Sequence, residues 1–124
     1  MRTQVAYRIF DDKDGLPHTL FHGVNGSRRL PFDTWVEARV GPVTDGSCAT
    51  AYQSGFHVLE DRGEARKFLA RMFKNLGHRV VARVEVRDTW PKAHSRHEVT
   101  LARFLRISRK DWARRTKLSA RSPA

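Results

Sequence analysis

The segment from 61 to 76 constrains the fold more than any other part of the sequence, because both its ends and its apolar face are marked. Asp61 is a favourable N-cap residue, and Glu64 follows three positions later, which is the spacing of a capping box. Gly77 stands where a left-handed C-terminal cap is expected. The pattern predicts one long amphipathic helix whose apolar residues recur at helical spacing: Ala65, Phe68, Leu69, Met72 and Phe73.

Most of the remaining chain shows the alternation that is typical of half-buried strands. The alternation is clearest from 80 to 86, where valine and alanine alternate with charged residues, and we expect Trp90-Pro91-Lys92 to end that strand. Five further strands are predicted at 4–10, 19–22, 34–40, 52–59 and 98–107, with Gly55 marking a bulge or a close backbone approach. Ser108 with Asp111 predicts a short helix that runs through Leu118.

These elements predict an α+β fold in which a mostly antiparallel, twisted sheet has one face covered by the main helix, at about 61–76. A short C-terminal helix completes the expected architecture. We expect a single domain over residues 1–118, followed by a flexible basic tail at 119–124.

The charge of the chain predicts the class of its partner. Its 124 residues contain 24 Lys and Arg against 13 Asp and Glu, a formal net charge of +11. So basic a small domain repels itself, and nucleic acid, a nucleoprotein or an acidic protein surface is the natural partner. The competing interpretation is a basic surface that only keeps the protein soluble.

The cysteine count and the hydropathy of the chain predict where it works. Cys48 is the only cysteine, so an internal disulfide is impossible, which suits a reducing cytosol. The first residues lack the apolar run of a signal peptide, and no stretch approaches membrane-spanning length. We therefore expect a cytoplasmic protein with no membrane partner. We interpret Cys48 as incidental, and the pair His94 and His97 as a solvated loop rather than a metal site.

The basic residues that we expect to contact an acidic partner fall into three groups. The first is a loop pair, the second is the polar face of the main helix, and the third surrounds Trp112 near the C-terminus. Arginine interleaved with aromatic residues suits phosphate contact and base stacking. No helix-turn-helix, zinc-finger or RNP-type motif is present, so sequence-specific reading of bases is not expected. The predicted contact residues are Arg28, Arg29, Arg66, Lys67, Arg71, Lys74, Arg109, Lys110, Arg114 and Arg115.

Two strand-like runs contain a histidine whose ring is a candidate for chemistry. His22 precedes Gly23 at the end of one run, where its ring can enter a cleft and the glycine lets a ligand come close to the backbone. His57 follows Phe56 in the other run, on the strand face opposite to Phe56 and Val58, which we expect to face the core. In both cases a histidine held by structural hydrogen bonds is the alternative.

These two segments resemble the motifs of a known superfamily. Leu20-Phe21-His22-Gly23 resembles the opening His-Gly motif of ADP-ribosyltransferase-like proteins. Gly55-Phe56-His57-Val58, with the helix after it, resembles their second motif, and a histidine at this place is typical of the RNA 2′-phosphotransferase branch. The segment from 54 to 72 also resembles small uncharacterised proteins of phages and mobile elements.

The resemblance implies an ADP-ribosyltransferase-like fold and an alternative, enzymatic function that uses NAD. In that alternative His22 anchors the ribose, His57 contacts nicotinamide or phosphate, and Glu98 is the catalytic acid. Without that activity we expect no cofactor and no metal. The leading hypothesis is a small basic protein that binds nucleic acid or a nucleoprotein. A structural module, such as a virion component or an inhibitor of a host complex, is the third hypothesis, and the oligomeric state is left open.

Overall fold

Strands make up most of the residues that the structure describes. The computed structural model describes residues 2–19, 28–38, 42–44, 51–53, 55–71, 79–92 and 99–117. All pairs between the named strands of these residues are antiparallel. In chain order the described elements are β1 (Gln4–Lys13), β2 (Leu16–His18), β3 (Val36–Glu37), β4 (Pro42–Thr44), β5 (Ala51–Gln53), β6 (Phe56–Leu59), α1 (Arg62–Arg71), β7 (Arg79–Pro91), β8 (Val99–Arg106), α2 (Arg109–Ala113) and β9 (Thr116–Lys117).

The main sheet has seven strands and curls into a half-barrel. Its order is β2-β1-β6-β8-β7-β9, β3 pairs with β8, and β1 also pairs with β7 over eight residues. The pairing of β1 with β6 is a single one, between Tyr7 and Leu59. The strands β1, β7, β8 and β6 therefore form a circuit in which one link is much weaker than the others. A separate two-stranded sheet contains β4 and β5.

A two-residue turn joins β1 to β2. Lys13 pairs with Leu16, and the turn residues Asp14 and Gly15 have φ values of 56° and 77°. Positive φ at both central positions is the geometry of a type I′ turn, which Asp-Gly favours. The strand that we expected to end at Phe10 therefore continues through Asp11 to Lys13, because a hairpin partner receives its polar end.

Apolar side chains of the sheet form a core on each of its two faces. The larger cluster fills the curl and contains residues such as Phe10, Val84 and Trp112. The smaller one, with Ile9 and Val81, lies against Ala65 of α1 on the other face. Successive residues of β1 alternate between the two, as the period of a strand requires. α1 therefore packs against this face of the sheet through Ala65.

The expected α+β, ADP-ribosyltransferase-like fold with one main helix is wrong. Strands dominate the described residues, which form a curled half-barrel with two short helices. α1 ends at Arg71, and positions 72–76 of the expected helix lie outside the described residues. The apolar residues that the sequence offers to a core belong mostly to long strands, above all to β1 and β7, so the sheet rather than the helix organises the molecule.

A proline and a glycine mark the ends of two strands. β7 ends at Pro91, within the Trp90-Pro91-Lys92 segment that is predicted to end it, and a missing backbone donor costs little at the last position of a strand. The strand expected at 52–59 is divided between two sheets on either side of Gly55. A Cβ atom at Gly55 would lie 3.0 Å from the carbonyl oxygen of Ala102 and 3.1 Å from the Trp90 ring. The predicted close approach at Gly55 is therefore confirmed.

The bounds of the other predicted elements differ from those in the structure. The second described strand lies at Leu16–His18, and positions 20–22 of the strand expected at 19–22 lie outside the described residues. Within the strand expected at 34–40 the structure describes β3, of two residues, and positions 39–40 lie outside the described residues. Ser108 caps α2, as predicted, by accepting a hydrogen bond of 3.0 Å from the backbone nitrogen of Asp111. That helix ends at Ala113 instead of continuing through Leu118, because the chain turns there into β9.

Candidate polyanion-binding surface

The structure describes only one of the three predicted catalytic residues. His22 and Glu98 lie outside the described residues, as do His94, His97 and Cys48. His57 lies on β6 and is half-buried, while Phe56 and Val58 face the core as expected.

Strand pairing and a backbone hydrogen bond account for the position of His57 in the sheet. It is paired with Leu101, which is paired in turn with Trp90, so these three side chains form one cross-strand row. The backbone carbonyl of His57 accepts a hydrogen bond of 2.7 Å from Arg8. Within the described residues, therefore, this histidine is placed by strand pairing.

Ion pairs with carboxylates occupy many of the basic side chains, which makes those side chains less available to a partner. Eight ion pairs join described residues, and each holds a cation within 4 Å of a carboxylate. The shortest joins Arg115 to Asp12 at 2.7 Å, with side chains that are 21% and 12% exposed. Arg115 also donates to the backbone oxygen of Trp112. This arginine, which we expected to contact a partner, holds α2 against β1.

The stretch 60–67, which includes the first turns of α1, is balanced in charge. Arg62, Arg66 and Lys67 stand there against Glu60, Asp61 and Glu64. Lys67 pairs with Glu64 at 3.4 Å. Arg71 ends the helix, and Lys74 lies outside the described residues. An anionic partner would meet as much negative as positive charge over this stretch.

The segment 28–33 brings the loop pair Arg28 and Arg29 to the same end of the half-barrel as α2. On one side the backbone nitrogen of Leu30 donates to the carbonyl of Pro17 in β2. On the other side the backbone nitrogen of Asp33 donates to the carbonyl of Ile107, immediately before α2. The Trp112 indole of α2 donates to the carbonyl of Gly15 at 2.8 Å, so the β1–β2 turn closes the same end.

Five exposed cations lie at this end, against two exposed carboxylates, Asp14 and Asp33. We call these cations the α2-end surface: Arg28, Arg29, Arg109, Lys110 and Arg114. Arg109 stacks on the Phe32 ring at 4.8 Å and has Asp33 as a distant carboxylate at 3.9 Å. The other four form no ion pair with a carboxylate among the described residues. Arg28 donates to the carbonyl of Glu37, a long hydrogen bond of 3.4 Å. The structure thus gathers five of the ten predicted contact residues on one surface.

Sequence reasoning missed a second group of arginines, on the outer face of β7 and β8. The guanidinium carbons of Arg87 and Arg106 lie 4.2 and 4.7 Å from the centre of the Trp35 ring. Arg87 also donates from Nε to the Thr3 hydroxyl, and Arg106 donates twice to Glu85. Arg103 stacks on Phe104 and pairs with Glu37. Sequence alone gave no signal for this group, because its members come from separate strands. We call Trp35, Arg87, Arg103, Phe104 and Arg106 the outer patch.

Sequence reasoning also missed Arg8, although its position between Ala6 and Phe10 in β1 indicates that its side chain faces the core. It shares a strand face with Ala6 and Phe10, so it points into the larger core and is 6% exposed. Its guanidinium lies 5.6 Å from the Phe10 ring and 5.4 Å from the Phe56 ring. It forms no ion pair with a described carboxylate, and its Nε is buried without a described acceptor. Burial lowers the pKa of Arg8 to about 10.

Comparison with protein-family models, with curated proteins and with solved structures finds no match. No helix in the described part of the chain is long and apolar enough to cross a membrane. Across the described residues there is no group of three or more histidine, cysteine, aspartate or glutamate side chains arranged to hold a metal ion.

Proposed function

We propose that this protein binds nucleic acid through the phosphate backbone, using the α2-end surface. The observation that carries the proposal is the charge imbalance at this end of the half-barrel. Five exposed cations come together there, and the only carboxylate that reaches any of them among the described residues is Asp33, at 3.9 Å.

The geometry suits phosphates better than a single small anion. The five cations come from two separate stretches, 28–29 and 109–114, which the hydrogen bonds of segment 28–33 hold together. Exposed cations spread over a surface match the repeated charges of a nucleic-acid backbone, and such contacts carry no sequence information. The net charge of +11 adds attraction at longer range. A chain with Cys48 as its single cysteine suits the reducing cytoplasm, where we expect this binding to occur.

The test compares two double variants that remove the same charge from different surfaces. Lys110→Gln with Arg114→Gln removes two cations from the α2-end surface, and Arg66→Gln with Lys67→Gln removes two from α1. We expect the α2 variant to bind a labelled 20-base-pair DNA roughly tenfold more weakly at low salt. Its plot of log affinity against log salt concentration should be about 2 less steep, because two fewer counterions are released. For the α1 variant we expect a loss below about threefold, through net charge alone.

Three results would contradict the proposal. The first is that the wild-type protein binds neither DNA nor RNA at 50 mM salt. The second is an equal loss for the two variants, which would make binding a property of net charge. The third is binding to an acidic protein surface such as polyglutamate with no binding to nucleic acid, which would replace the partner class.

A further inference from the structure

The outer patch places stacking groups beside the proposed phosphate-binding surface. Val36 pairs with Leu105 and both are buried, so their neighbours Trp35, Phe104 and Arg106 lie on the opposite, outer face. Phe104 is paired with Glu37 on one side and Arg87 on the other, which makes a cross-strand row on that face. Trp35, Phe104, Arg87 and Arg106 are all half-buried, so each of these residues keeps part of its surface in solvent.

The patch offers planar groups rather than net charge. Arg103 lies near Glu37 and Asp88, and Arg106 is held by Glu85, so three carboxylates accompany its three arginines. Arg87 forms no ion pair with a described carboxylate, and Thr3 and the Trp35 ring fix its orientation. Stacked planar groups with little net charge match bases, and they add to phosphate attraction without duplicating it.

The patch and the α2-end surface are continuous. Arg28 belongs to the α2-end surface and donates to the backbone of Glu37 in β3, whose side chain pairs with Arg103 of the patch. Arg109, also of the α2-end surface, stacks on Phe32, three residues before Trp35. The two surfaces are therefore adjacent, and one bound strand could contact both.

We infer that the nucleic acid bound by this protein is single-stranded, with its bases stacked on the outer patch. The inference rests on the proposed function and specifies its substrate. Bases within a duplex are stacked on one another, whereas the bases of a single strand are free to stack on aromatic rings and on guanidinium planes. A duplex would use the α2-end surface alone, and a single strand would use both surfaces.

The first experiment measures the affinity of the full chain for a 20-nucleotide oligo(dT) and for a 20-base-pair duplex at equal salt. We expect the single strand to bind about tenfold more tightly. Trp35→Leu should remove most of that preference by weakening single-strand binding about tenfold, with duplex binding changed less than twofold. Thermal unfolding of the variant establishes that it is folded at the temperature of the assay.

The second experiment follows tryptophan fluorescence, which reports on stacking directly. Oligo(dT) should quench the emission of the wild-type protein. Trp35→Phe should remove the quenching and keep most of the single-strand affinity, because a phenyl ring still stacks. Trp90→Phe is the matched control: Trp90 packs over Gly55 on another part of the sheet, so this variant should retain the quenching.

The results separate this inference from the proposed function. If the duplex binds as tightly as the single strand, or if Trp35→Leu weakens both equally, the single-strand inference is wrong and phosphate binding stands. Quenching that persists in Trp35→Phe also contradicts it, since the bases would then lie near another tryptophan. If neither form binds at low salt, both the function and the inference fail.

Discussion

Two arginines contact the inward face of β1, and they are held in opposite ways. In the middle of the strand Arg8 is buried among apolar groups and forms no ion pair with a described carboxylate. Near the end of the strand Asp12 pairs with Arg115, which follows α2, at 2.7 Å, and that pair is partly open to solvent. Aromatic rings join the two arginines. Arg8 lies over Phe10, the Phe10 ring meets Trp112 edge-to-face at 5.8 Å, and Arg115 lies over Trp112.

The comparison shows that an arginine buried in this fold need not have a carboxylate partner among the described residues. Desolvation acts on Arg8 and lowers its pKa to about 10, and among the described residues one carbonyl and two rings offset its charge. Arg115 gains a carboxylate, a carbonyl and a ring. We expect the paired arginine to contribute clearly to stability and the buried one to be close to neutral.

Replacing Trp112, whose ring lies between the two arginines, has the largest expected effect on stability. Trp112→Ala removes a side chain that is 4% exposed, together with its contact to Phe10 and its hydrogen bond to Gly15. We expect the free energy of unfolding in urea to fall by about 3–5 kcal/mol. Trp112→Phe keeps the ring contact and loses the N–H donor, so it should cost about 1–2 kcal/mol. If both variants lose the same amount, the hydrogen bond rather than packing joins α2 to the β1–β2 turn.

The sequence predicted local features of the fold better than its architecture. Caps and turns depend on adjacent residues, so Asp61 before α1, Ser108 before α2 and the turn near Gly15 could be found by inspection. The curl depends on which strands pair, and the pairing of β1 with β7 joins residues about eighty positions apart. A well-patterned helix at 61–76 therefore suggested an α+β fold, although long strands dominate the structure.

The same limit applied to the candidate site. Exposed cations such as Lys110 and Arg114 were visible in the sequence, and their predicted contact with a partner stays a prediction. What the sequence could not show was which cations a carboxylate already holds, because Asp12 and Arg115 are far apart along the chain. The stacking of Trp35 with Arg87 likewise depends on strand pairing. Arg8 could have been found, since it occupies an inward position of β1.

The second prediction concerns the ion pair between Arg115 and Asp12. Arg115→Met removes the ion pair and leaves Asp12, 12% exposed, without its cation. We expect a loss of about 2 kcal/mol in the free energy of unfolding, between the values for exposed and fully buried pairs. Lys67→Met is the matched control, because its pair with Glu64 has side chains that are 69% and 56% exposed. That control should lose less than about 0.5 kcal/mol. Equal losses would mean that Arg115 contributes no more than a surface pair.

The smallest effect on stability is expected for the buried Arg8. Arg8→Met places an apolar side chain of similar length between the Phe10 and Phe56 rings. Desolvation of the Arg8 charge opposes folding, and the hydrogen bond to the carbonyl of His57 and the contacts with the two rings act against that cost. We therefore expect the variant to lie within about 1 kcal/mol of the wild type at pH 7. A loss above about 3 kcal/mol would make Arg8 as important to stability as a paired buried charge.

The difference in unfolding free energy between the wild type and Arg8→Met should depend on pH, and that dependence separates desolvation from packing. Below pH 10 the folded and unfolded chains both hold the Arg8 proton, so the desolvation cost is present in full. Above pH 10 the folded chain releases the proton while the unfolded chain keeps it, because the folded pKa is the lower one. The wild type should therefore gain about 1 kcal/mol relative to Arg8→Met between pH 9 and pH 11. Other groups titrate in this range, but they do so in both proteins and cancel in the difference. A difference in unfolding free energy that stays constant from pH 9 to pH 11 would show that the interior of the half-barrel holds Arg8 charged without a desolvation cost.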